Sequence, residues 1–148
     1  MTMRLSRKIL LGLAAALIAI QLVPVPRTNP PVESDVPAPP EVKALLRRAC
    51  YDCHSNETVW PPQSRVAPAS WMVAYDVWDG RRELNFSRWN ALPERVRAKL
   101  PEKVAKEVRD EKDMPPLLYR WAHPEARLTD AERAAIATWA ASLGGAAR

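Results

Sequence analysis

Cysteine and histidine are scarce in this chain: 148 residues hold two of each. Two cysteines cannot build a disulfide framework, and a bond between Cys50 and Cys53 would close too small a loop to stabilise much. A structural zinc ion usually takes four N or S ligands. It would need Cys50, Cys53, His54 and His123 together, the whole supply. His54 directly follows Cys53, which is poor geometry for a shared tetrahedral site. A period-two strand pattern is absent, and so is any internal repeat. The βαβ setting of a redox C-x-x-C pair is therefore missing. Surplus positive charge is also small. Of the net +5, three charges sit on Arg4, Arg7 and Lys8, leaving +2 from Arg27 onward. That balance does not support a nucleic-acid face. No acid/base pair stands beside the cysteines, and Glu102, Glu107 and Asp110 read as a solvated helix face.

What is present is Cys50-Tyr51-Asp52-Cys53-His54. This C-x-x-C-H run is the attachment sequence of a c-type haem. Two thiols one helical turn apart lie on one face, where each can form a thioether with one vinyl group. His54 is then carried under the ring, where its imidazole can meet the iron. One covalent haem c, with Cys50, Cys53 and His54 holding it, is the reading the motif supports. The six tryptophans are expected to fill a small core, several of them against the ring or its edge.

The N-terminus has a basic segment, Arg4 to Lys8, then an apolar run from Ile9 to Val23 broken by Gln21. Residues 1–23 read as an export signal or a membrane anchor. No A-x-A cleavage site and no lipidation cysteine follow, which favours an uncleaved anchor. Basic residues ahead of the run favour a cytoplasmic N-terminus and an exported, periplasmic domain tethered to the inner membrane. Such an orientation suits the motif, because c-type haem is attached outside the bacterial cytoplasm. Residues 24–40 carry seven prolines and read as a semi-extended linker without a core of its own, with a reach on the order of 50 Å.

The remainder reads as all-α. Pro39-Pro40-Glu41 starts a helix, and Val42, Leu45, Leu46 and Ala49 give it an apolar stripe running into Cys50. Residues 55–67 read as a loop. A second helix is expected from near Pro68 to Gly80, with Trp71, Tyr75 and Trp78 on one face and Met72 in the core. Asn85 to Trp89 is a turn. Pro93 and Pro101 predict two short pieces, 93–99 and 101–111, because an interior proline breaks the hydrogen-bond ladder. Thr129-Asp130-Ala131-Glu132 is a capping box for the last helix. Its face is Ala135, Ile136, Trp139 and Leu143, and Gly144-Gly145 is its stop. The haem domain is thus 41–143, with 144–148 as a tail.

The sixth iron ligand falls to Met114, in the Met114-Pro115-Pro116 loop about sixty residues after His54. Proline on its C-terminal side stiffens this backbone. A core role for Met114 is the bland alternative, and His123, in Trp121-Ala122-His123-Pro124, is the competing ligand. The second ring nitrogen of His54 is expected to donate to a backbone carbonyl, with the loop from Trp60 to Pro68 the nearest source. Arg65, Arg81, Arg82 and Arg88 are candidates for the propionates, none of them singled out.

These residues together resemble a known group. The C-x-x-C-H motif, flanking helices, a late Met-Pro loop and a terminal helix resemble class I cytochromes c. More closely, the chain resembles a bacterial haem-binding domain family of exported single-haem proteins. The likeness is carried by Cys50 to Thr58 with Trp60-Pro61, Ala67 to Trp71, Asn85-Phe86-Ser87 with Trp89, Met114-Pro115-Pro116 with Tyr119, and His123 to Leu128. It covers roughly residues 41–142. The resemblance implies a small cytochrome c-like helical domain with Cys50 and Cys53 as attachment points. It implies His54 as proximal and Met114 as distal ligand. The resemblance points to haem binding and not to a pathway; it is the two ligands, His54 and Met114, that make one-electron transfer with redox partner proteins the expected function, rather than enzyme catalysis. The rival reading is a haem-based sensor or peroxidase-like enzyme with an open or displaceable sixth site. A third is a haem-bearing module whose main task is to bind another exported protein.

Overall fold

The computed structural model describes residues 2–145. Its α-helices are α1 (Thr2–Ala19), α2 (Pro40–Ala49), α3 (Tyr51–His54), α4 (Ala69–Glu83), α5 (Glu94–Val104), α6 (Leu117–Ala122) and α7 (Asp130–Gly145). Among the described residues there is no strand, only an isolated parallel bridge between Ser34 and Arg88. The chain is all-α, as its sequence pattern predicts.

Helix α1 stands apart from the domain core. Its window Leu5–Leu22 has a mean hydropathy of 1.7, and none of it is buried. At ~1.5 Å per residue an 18-residue helix spans about 27 Å, close to the ~30 Å hydrocarbon thickness of a bilayer. The helix is therefore long and apolar enough to cross a membrane.

The core gathers where α2 meets α7. Val42, Leu46 and Ala49, at steps of four and three, bury one stripe of α2. Ile136, Trp139 and Ala140 supply the facing side of α7. Ala135 points outward and Ala137 inward, so the buried stripe of α7 is rotated from the expected one. The capping box forms: Thr129 N donates to Glu132 Oε2 at 2.8 Å, and Glu132 N to Thr129 Oγ1 at 3.3 Å. The glycine stop does not act where expected, since α7 continues through Gly144 to Gly145. Glycine weakens a helix by about 1 kcal/mol but does not forbid it. The rest of the expected tail, 146–148, lies outside the described residues.

Three further expectations change. Pro101 does not divide its segment. It sits inside α5, which passes directly into a π-helical stretch, Ala105–Asp110. Buried Leu100 and Val108, with Val104 partly buried, hold this segment against the core, and that packing outweighs one missing hydrogen bond. Helix α4 does not stop at Gly80 but runs one turn further to Glu83. Trp71, Tyr75 and Trp78 do share a face, but it is exposed, as is Met72. Only Trp89 and Trp139 of the six tryptophans are buried. The inner face of α4 is built instead from Ser70, Val77 and Gly80, small side chains that bring the helix axis close to its neighbours.

The proline-rich segment is extended, but its second half has a core contact. Val36 is 1% exposed and belongs to the main cluster. Ser87 O accepts from the main-chain N–H groups of Glu33 and Ser34 at 3.0 and 3.1 Å, and Trp139 Nε1 donates to Pro37 O at 2.9 Å. Asp35 accepts from Lys43 Nζ at 2.8 Å and from Tyr51 Oη at 2.5 Å. At the other end Gln21 clasps Ala67 through both amide atoms, Nε2 to the carbonyl at 3.2 Å and Oε1 from the N–H at 2.9 Å. Arg27 donates to Ser64 O at 3.0 Å. The segment is a strap on the domain rather than a free spacer.

Burial opposes the charge on Asp35, yet the hydrogen bonds from Lys43 and Tyr51 outweigh it and hold the carboxyl below its ordinary range. A group with a depressed folded pKa stabilises the fold above its unfolded pKa, and that stability is lost as pH falls through the folded value. Asp35→Asn should therefore cost about 1 kcal/mol at pH 7 in urea unfolding, with the difference shrinking as pH drops below about 4. Equal stability of the two proteins at pH 7 would contradict a docked strap.

Candidate functional site

Helix α2 ends at Ala49, and Cys50 caps it by donating its N–H to Leu46 O at 2.8 Å. The backbone turns at Cys50, with φ −129°, and then makes the single turn α3. Cys53 N and His54 N both donate to Cys50 O, at 3.2 and 2.9 Å. One turn thus carries both sulfurs and the imidazole. Neither thiol is bridged. Burial, the larger cause in each case, pushes both thiols up to about 12, so both are neutral S–H groups at neutral pH.

His54 is fixed by α4. Its Nδ1 lies 3.0 Å from Gly80 O and 3.1 Å from Leu84 O. Both partners are acceptors, so Nδ1 carries the proton and donates to both. The tautomer follows: Nε2 is left with a lone pair. Burial lowers the His54 pKa, with the two carbonyls acting in the opposite sense, which keeps the ring neutral. A backbone carbonyl was the expected partner, but its source is the end of α4 and not the Trp60–Pro68 loop. Gly80 O also accepts from Leu84 N–H at 2.9 Å, and Leu84 caps α4; both carbonyls sit at the helix C-terminus, where partial negative charge gathers. They are better acceptors than a proline-stiffened loop that is itself tied to Gln21 and Arg27.

That contact depends on Gly80. A Cβ there would stand 2.7 Å from Cys53 O and 3.0 Å from Cys53 Cβ. Only a residue without a side chain lets α4 come this close to α3. The sequence pattern suggested a helix stop at Gly80. The residue is a point of close approach instead.

Behind the motif lies a buried polar network. Asn56 N donates to Ser87 Oγ at 2.9 Å, Asn85 Nδ2 to Asn56 Oδ1 at 2.8 Å, and Phe86 N to His54 O at 2.7 Å. Phe86 packs between Tyr51, at 5.3 Å, and Trp139, at 6.5 Å between ring centroids. Arg81 spends its guanidinium on Ser55 O, Thr28 O, Asn29 Oδ1 and Thr58 Oγ1. Arg82 pairs with Asp79 and Arg88 with Glu33, so three of the four arginines considered for propionates already have partners.

Met114 is partly buried against the core and is held at both main-chain atoms. Its N–H donates to Glu107 O at 3.1 Å, and its carbonyl accepts from Arg133 Nη1 at 2.7 Å. Arg133 also donates to Val108 O at 2.6 Å and is 3% exposed. Periodicity on α7 gives no hint of this buried arginine. His123 stacks on Tyr119 with ring centroids 4.4 Å apart and bonds Glu125 through Nδ1 at 3.1 Å. Tyr119 reaches the motif itself, donating to Asp52 Oδ2 at 2.7 Å. That bond ties α6 to α3.

These groups fit a haem: two unbridged neutral thiols and a neutral imidazole share one turn, and Met114 is fixed by its main chain in a separate segment. A family model described as a haem-binding domain matches residues 15–142. Comparisons with curated proteins and with solved structures gave no match.

The sign of one substitution isolates the close approach. Gly to Ala inside a helix ordinarily stabilises by about 1 kcal/mol. Gly80→Ala should instead destabilise by roughly 1–3 kcal/mol, because the added methyl meets main-chain atoms. Denaturation followed by tryptophan fluorescence reads the difference, and a stabilised variant would contradict the packing of α4 on Cys53.

Proposed function

The chain belongs to the haem-binding domain family, and from that premise we propose that it is an exported, membrane-anchored monohaem c-type cytochrome that transfers single electrons. Haem binding follows from the family. The covalent linkage, the ligand pair, the location and the electron-transfer role are inferred from the residues.

The reading rests above all on the hydrogen bonds of His54 Nδ1 to Gly80 and Leu84, which leave Nε2 unprotonated on the same turn as two free thiols. Cys50 and Cys53 would each add across one vinyl group. The sulfur bonds to one vinyl carbon and the thiol hydrogen goes to the other, so the linkage needs no oxidant. His54 Nε2 and the Met114 thioether would hold the haem iron. Bound haem supplies the ferrous–ferric couple. The chain's part is to keep the ligands still: the imidazole through α4, and the Met114 main chain through Glu107 and Arg133. Fixed ligands keep reorganisation small, which suits a carrier.

Two features bear on the rivals. A displaceable sixth ligand would need a mobile Met114 segment, and this one is held on both sides. His123 as ligand would have to leave Tyr119 and Glu125. Export and anchoring are supported by the exposed apolar helix α1 and by the basic residues Arg4, Arg7 and Lys8 in its first turns. In this reading Gln21 and Arg27 keep the haem domain near the membrane surface. Redox partner proteins would then meet it there.

Optical spectra of washed membranes from cells that attach c-type haem test the whole reading. The expected result is a low-spin spectrum with a methionine–iron charge-transfer band, unmoved by carbon monoxide. Met114→Ala should abolish the band and admit carbon monoxide, and removal of residues 1–23 should leave the membranes without this haem. A high-spin wild type, or one that binds carbon monoxide rapidly, would favour the sensor or enzyme. An unchanged spectrum in Met114→Ala would move the sixth ligand elsewhere.

A further inference from the structure

A cleft of about 280 Å³ opens between α6 and the start of α7, lined by Leu117, Arg120, Trp121, Arg127, Leu128 and Arg133. Three of these six residues are arginines and none is acidic. The nearby carboxylates are engaged elsewhere: Glu125 with His123, Asp130 with Lys112, and Glu132 with Arg48. Among the described residues Arg120, Arg127 and Arg133 form no ion pair. Arg120 Nε is buried and has no hydrogen-bond partner, an uncompensated donor of a kind that folded proteins rarely keep. Arg127 donates its Nε to Arg120 O at 3.1 Å, and Arg133 donates Nη1 to Val108 O and Met114 O. The remaining guanidinium nitrogens of both have no recorded partner among the described residues.

We propose that this cleft is an oxyanion site, taking a carboxylate or phosphate group between Arg120, Arg127 and Arg133. Such a group supplies the acceptor that Arg120 Nε lacks and relieves three like charges held together. Planar guanidinium donors match carboxylate and phosphate oxygens in a paired geometry. The site also touches the functional centre, since Arg133 holds the Met114 carbonyl. The same chemistry has two sources, a propionate of the haem itself or an anion from solution.

Calorimetric titration of inorganic phosphate into the full-length, haem-carrying chain, at ionic strength fixed with chloride, separates them. Phosphate binding at one site, weakened roughly tenfold or more by Arg120→Gln or Arg127→Gln, would support the site with a solution anion. Arg127 is exposed, so its variant is expected to fold even if the Arg120 variant does not. Without phosphate binding, a shift of the haem propionate bending band in the resonance Raman spectrum of either variant would support the haem carboxylate as occupant. Absence of both effects overturns the proposal. If the full-length chain as isolated carries no haem, the phosphate arm alone decides the site, so failure of the haem assignment and failure of the site stay distinguishable.

Discussion

The contact between Gly80 on α4 and the turn that carries Cys53 and His54 governs this structure. Without a side chain at that position the two backbones approach so closely that a Cβ would lie 2.7 Å from Cys53 O. The approach brings the last carbonyls of α4 to His54 Nδ1. It thereby decides which nitrogen carries the proton and which is free. It also explains why the inner face of α4 consists of small residues and why the helix's large aromatics face outward. Packing and chemistry meet at one position, and the ligand geometry is a consequence of how two helices fit.

Around that contact the polar groups are paired in layers. Ser55, Asn56, Asn85 and Ser87 are all buried, yet each has partners in the network behind the motif. Pairing them matters in a small domain, because each orphan costs about 1–3 kcal/mol. The strap from Glu33 to Ala38 closes the same region from outside through Val36 and the Ser87 carbonyl. Arg133 plays the matching part on the other side, where one buried guanidinium joins α7, the π-helical stretch and the Met114 segment. The arginine cleft grows from that joint.

The readable parts of the sequence were those whose physics is local. Cys50, Cys53 and His54 share one turn because their spacing dictates it, and Thr129 with Glu132 forms its capping box within four residues. Prolines at 40 and 93 mark helix starts for reasons internal to the peptide unit. The misread parts depend on distant partners. Pro101 stays helical because Leu100 and Val108 are buried against other elements, and Gly80 continues a helix because of what lies opposite it. The proline-rich segment looks like a free linker until Val36 finds the core. The carbonyl for His54 was expected from the nearest loop in sequence, but it comes from 26 and 30 residues away. Arg133 gave no signal at all, since an arginine on a terminal helix ordinarily reads as solvated.

The central claim is that Cys50 and Cys53 together hold one haem that His54 ligates. Denaturing intact-mass analysis of the full chain, made in cells that attach c-type haem, tests it most directly. The account predicts a mass increase of one haem that survives acidic organic extraction. It also predicts that the increase maps to the peptide containing residues 50–54 and disappears when both cysteines are replaced by alanine. A chain whose mass equals that of the bare polypeptide, or whose haem is extracted as a free molecule, would contradict it.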